Sequence, residues 1–176
     1  MKTVKPGLIS LLLSGLLWSS LFLGAAAPAI AAEFANGTTD LPTPRFVSVK
    51  AGSAMMRSGP GERFPIKWEY KRPGLPMEIL KEYEIWRQVR DPEGEIGWMN
   101  KALLTGARTG IVKDQVRLLY VAPDLKSRIA WRIAPGAVVS ITLCEDLWCR
   151  VSKDGRSGYI LRAHMWGTYS REKIEG

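Results

Sequence analysis

Short mixed stretches of apolar and polar residues, punctuated by glycine and proline, dominate the chain beyond its first forty residues. Met77-Glu78-Ile79-Leu80-Lys81-Glu82-Tyr83 and Trp86-Arg87-Gln88-Val89-Arg90 have the length and composition of two paired strands. Asp91-Pro92-Glu93-Gly94 then turns the chain into Ile96-Gly97-Trp98-Met99. The same order returns as Ala137–Cys144, Trp148–Ser152, the turn Lys153-Asp154-Gly155, and Gly158–Leu161. Strands of about five residues with a turn every 8–12 predict an all-β barrel or sandwich. Only Lys101–Thr105 and Arg162–Trp166 read as helical, each about one turn long.

The recurrence is a repeat. Pro73-Gly74 returns as Pro135-Gly136 and Trp86-x-x-Val89 as Trp148-x-x-Val151, both at an offset of 62. Gly97-Trp98 returns as Gly158-Tyr159 at 61, as one deletion in a turn would produce. Two copies are too few for a solenoid, so a pair of small globular modules is expected. The first is assigned to residues 45–110 and the second to 111–170, joined across Thr105–Lys113. A short joint and similar modules predict a rigidly packed pair. Residues 171–176 are left as a C-terminal tail, and 32–44, polar and Gly/Thr/Pro-containing, as a disordered lead-in.

The start of the chain has the three parts of a secretory signal. Lys2 and Lys5 precede an apolar run from Leu8 to Leu23, and Ala29-Ile30-Ala31 fits a peptidase site. Residues 1–31 are therefore expected to be removed, with an uncleaved membrane anchor as the rival. No cysteine ends the leader, so no lipid anchor is expected. The product would be periplasmic or secreted. Losing Lys2 and Lys5 lowers the formal charge from +8 to +6, since no acidic residue precedes the cut. Such a protein favours anionic partners, or is merely kept soluble by its charge, and export argues against nucleic acid.

Export also bears on the two cysteines. A lone close pair in an oxidising compartment points to a disulfide between Cys144 and Cys149. Four intervening residues suit opposed positions across a short hairpin loop. The offset of 62 maps the pair onto Glu82 and Arg87, opposite charges that would face each other in the first copy. A disulfide closing so short a loop pins register more than it adds stability.

Met55-Met56-Arg57-Ser58-Gly59-Pro60-Gly61, followed by Trp86-x-x-Val89, Glu93-Gly94 and Gly97-Trp98, resembles the bacterial SH3-like domain family. The second copy departs from that pattern, with Leu118-Leu119-Tyr120-Val121-Ala122-Pro123 at the opening motif and Tyr159 for the closing tryptophan. The resemblance spans about residues 45–170 and implies two tandem small SH3-like β-barrels behind the leader. It also implies a non-catalytic module that binds cell-wall peptide or glycan, peptidoglycan above all. A structural or regulatory partner of another envelope protein is the alternative.

Catalysis has little to work with. His164 is the single histidine, so a metal site built on several histidines is excluded, and no cofactor motif is present. A Cys144–His164 nucleophile pair is the least favoured possibility, since Cys149 is the better partner. Trp86, Trp98, Trp148 and Tyr159 stand at repeated positions, which favours core or barrel-wall packing. Arg57, Arg63, Trp68, Tyr70 and Arg72 are the candidate ligand-binding residues, because aromatics and cations interleave there.

Overall fold

The computed structural model describes residues 38–50 and 52–175. The expected leader, 1–31, and the start of the lead-in lie outside them.

The first module holds β1 (Arg45–Val49), β2 (Ala54–Arg57), β3 (Ile66–Tyr70), β4 (Pro76–Tyr83), β5 (Trp86–Arg90), β6 (Ile96–Asn100) and β7 (Leu104–Thr105). The second holds β8 (Thr109–Val112), β9 (Arg117–Tyr120), β10 (Ile129–Ile133), β11 (Val138–Glu145), β12 (Trp148–Lys153), β13 (Arg156–Leu161) and β14 (Met165–Trp166). A last short strand, β15 (Ile174–Glu175), follows. Each module is one antiparallel sheet, ordered β3-β2-β6-β5-β4-β1-β7 and β10-β9-β13-β12-β11-β8-β14. The two paths match strand for strand. The two predicted helical turns are single 3₁₀ turns, Lys101–Leu103 and Arg162–His164, each delivering the chain to its closing strand.

The repeat extends to details of backbone geometry. β4 carries a bulge between Ile79 and Lys81, and β11 carries one between Ile141 and Leu143. Glu84 and Asp146 occupy the same left-handed turn position, with φ of 49° and 46°. Glu82 faces Arg87, and Cys144 faces Cys149, in the same hairpin register. The ion pair forms at 3.2 Å and the disulfide is closed.

Both cores are aliphatic and thioether rather than aromatic. Met56, Met77, Met99, Val49 and Val89 fill the first, and Leu119, Ile160, Val139, Val151 and the disulfide fill the second. Of the repeated aromatics only Trp86 is buried; Trp98, Trp148 and Tyr159 stand half-buried on the sheet wall.

The joint is shorter than the sequence suggested. β8 begins at Thr109 and pairs with β11, so the expected boundary at 110/111 falls inside a strand of the second sheet. Only 106–108 separate β7 from β8. The C-terminal residues are tied down as well, since β15 pairs with β11. Before β1, Thr39 donates through its hydroxyl to Glu82 and Arg45 pairs with the same carboxylate.

Candidate functional site

Of the five predicted ligand residues, Arg57 lines a cavity and the others are dispersed around the first module. Arg57 projects from β2 beside Met55, and its Nη1 donates to the carbonyls of Glu62 and Phe64, at 3.0 and 2.9 Å. The cation thus stitches together the β2–β3 loop. That loop is tight: a Cβ on Gly59 would lie 2.5 Å from the Phe64 ring. Arg63 stacks its guanidinium over Phe64, 5.2 Å from the ring centroid.

Trp68 pairs in register with Met56, and Tyr70 with Ala54. Cross-strand partners share a face, so both aromatics lie on the core side of the hairpin while Met55 and Glu69 point outward. Tyr70 packs against the core and donates its hydroxyl to Asp91 Oδ2 at 2.8 Å. Burial and then the Asp91 hydrogen bond push its phenol far above the usual range. Asp91 is buried and accepts the Glu93 and Glu95 amides through its other oxygen, which shapes the turn into β6. Trp68 sits at the open end of β3, half exposed, with its indole N–H directed to Glu95. The equivalent Trp131 on β10 directs its indole N–H to the carbonyl of Ser157. Arg72 leaves the first module altogether and donates to the carbonyl of Gly136 at 2.7 Å. Tyr70 and Arg72 are therefore engaged in structural contacts, and their alternation in sequence with basic residues did not reveal this.

The cavity beside Arg57 is a groove of about 320 Å³. Met55, Trp86, Ala102 and Leu103 supply its apolar surface, and Ser53, Arg57, Glu62 and Asn100 its polar rim. Trp86 is buried, as its repeated position implies, and reaches the groove only by its edge of exposed surface, while Met55 and Leu103 were not among the predicted ligand residues. The usable signal was alternation: Met56 is fully buried, so Met55, its neighbour in a strand, faces out.

His164, in the second 3₁₀ turn, is half-buried. Burial, then the nearby charges of Arg117 and Lys113, lower its pKa, so it is neutral at pH 7. Cys144 is oxidised and cannot act as a nucleophile while the disulfide persists. Among the described residues no group of three or more His, Cys, Asp or Glu side chains could hold a metal ion.

Two segments, residues 50–106 and 113–167, each match the family model for the bacterial SH3 domain. The chain belongs to the bacterial SH3 domain family. Bacterial SH3 domains are typically non-catalytic binding modules. Among solved structures, this SH3 pair is similar to NlpC1 from Trichomonas vaginalis, with 17% identity and a TM-score of 0.31. That match covers 74% of this chain and 48% of the other. An NlpC/P60 family protein from Bacillus cereus ATCC 10987 matches with 12% identity and a TM-score of 0.32, over 69% of this chain and 55% of the other. The SH3 pair thus spans about half the length of these structures. No curated protein matches it.

Proposed function

We propose that this SH3 pair is an exported, non-catalytic module that binds peptidoglycan, by its peptide or its glycan. The observation that carries the reading is the open groove of the first module, where Trp86, Met55 and Leu103 meet a rim of Arg57, Glu62 and Asn100. A few convergent polar groups on an apolar floor suit an amphipathic ligand. Arg63 and half-exposed Trp68 border the same β2–β3 hairpin and are retained as secondary contacts. The leader-like residues 1–31 and the basic composition support an envelope location and an anionic ligand.

Pelleting of the protein with insoluble peptidoglycan across a salt series tests this. Saturable binding that weakens with salt is expected. Met55→Glu should remove most of it without changing the melting temperature, because Met55 faces solvent. Absence of wild-type pelleting at low salt would refute wall binding.

One observation favours a protein partner instead. β3 is an edge strand of the first sheet and exposes Ile66 and Trp68. An extended segment of another envelope protein could add to it through main-chain hydrogen bonds. Loss of binding in Trp68→Ala with Met55→Glu unaffected would favour that reading.

A further inference from the structure

We propose that the outer face of the second module is a separate site for an extended peptide that carries a carboxylate and, two residues away, an amine. Alternation along β12 places Cys149 and Val151 in the core, so Trp148 and Arg150 face outward. Arg150 pairs in register with Tyr159, and Tyr159 pairs with Tyr120. Tyr120 in turn meets Trp148 edge to face, with ring centroids 5.7 Å apart. Three half-buried aromatics therefore form a continuous wall with a guanidinium beside it.

Two cavities flank Tyr159. One, of about 440 Å³, is lined by Arg150, Ser157, Gly158, Val121 and Ala130. The other, of about 280 Å³, is lined by Trp148, Leu143, Pro123, Glu145 and Asp146. The groove is thus cationic on one side of Tyr159 and anionic on the other. Among the described residues, the side chains of Arg150, Glu145 and Asp146 have no ion pair or hydrogen bond, in contrast to Arg57 in the first module.

The spacing selects the ligand. Glu145 stands opposite Trp148, and Arg150 lies two residues further along β12. Glu145 and Arg150 are thus diagonal neighbours across β11 and β12, roughly 7–8 Å from each other, close to the roughly 7 Å between alternate side chains of an extended peptide. A ligand carboxylate would meet Arg150, a ligand amine would meet Glu145 and Asp146, and the intervening backbone would cross Tyr159. The first module is built differently: Gln88 stands at the position of Arg150, and Arg57 at that of Tyr120. The proposal deepens the wall-binding reading only in naming peptide rather than glycan as what is recognised.

The test titrates the protein with two capped tetrapeptides, acetyl-Ala-Glu-Ala-Lys-amide and its Gln-for-Glu counterpart, following the indole N–H resonance of Trp148. The acidic peptide should shift that resonance saturably and bind about tenfold more tightly than the neutral one. R150Q, which installs the residue of the first module, should bring both peptides to equal affinity while leaving the melting temperature unchanged. Equal affinities for the wild-type protein, or a preference that survives R150Q, would overturn the proposal. Peptidoglycan pelleting is scored separately, so wall binding can fail while peptide discrimination stands, and the reverse.

Discussion

At the scale of single residues, close approach decides more than residue type. Gly97 lies on β6 where a Cβ would meet Met56 Cγ at 2.4 Å and the Arg57 carbonyl at 2.8 Å. The second contact is backbone and cannot rotate away. Its repeat equivalent, Gly158, has milder limits, with Leu119 Cβ at 2.9 Å and the Tyr120 carbonyl at 3.3 Å. Gly97→Ala is expected to cost about 2–3 kcal/mol and Gly158→Ala about 1 kcal/mol in urea unfolding. Equal costs would mean that the first module relaxes as readily as the second. Both glycines were visible in sequence as repeated landmarks, but the atoms that crowd them belong to strands about forty residues earlier in the chain.

At the scale of elements, the two long hairpins solve one problem in two ways. β4–β5 is held by Glu82, whose carboxylate meets Arg87 and Arg45; β11–β12 is held by Cys144–Cys149. Losing one partner of a buried ion pair leaves the other charge uncompensated, at about 3 kcal/mol. A disulfide across so short a loop contributes about 2 kcal/mol in the chain-entropy account. Glu82→Gln should therefore lower the unfolding free energy by at least as much as reducing the disulfide. A larger loss on reduction would show that the covalent link carries more than register. This equivalence was legible from the offset of 62 alone, because strand pairing is local and its register follows from the turn.

At the scale of the whole molecule, the modules share buried polar and aromatic contacts. Ser48 Oγ lies 2.7 Å from Thr109 Oγ1, which donates to the carbonyl of Gly74. Phe46 packs edge to face on Trp166 at 4.9 Å, and the Tyr169 hydroxyl donates to Glu78 at 2.9 Å. Ile111 and Val138 of the second module pack against the first core. Emission from Trp86 and Trp148 should accordingly report a single coincident unfolding transition. Separate transitions would mean the contacts are too weak to couple the modules. Acid should loosen this arrangement. Burial raises the pKa of Glu172, but the Arg108 hydrogen bonds and the Tyr169 amide outweigh it, so the net shift is downward. A carboxylate depressed in the folded state stabilises above its unfolded value of about 4.3, and that contribution is lost as pH falls through the folded pKa. The urea midpoint should therefore drop below about pH 4, and Glu172→Gln should flatten that part of the profile.

The repeat, the long hairpin of each module with its register, and the cysteine pair were all determined by the sequence itself. Each depends on residues within one hairpin or on spacing along the chain, where local geometry leaves few alternatives. The surfaces were decided only by the tertiary structure. Tyr70 and Arg72 have the composition of a ligand patch, yet one locks a turn through Asp91 and the other bridges to the second module. Arg150, inside the repeated Trp148-x-x-Val151 landmark, stands with its charge unpartnered beside three aromatics among the described residues. Whether a polar side chain is consumed by the fold or left to a ligand depends on groups distant in sequence, and no local pattern encodes their position.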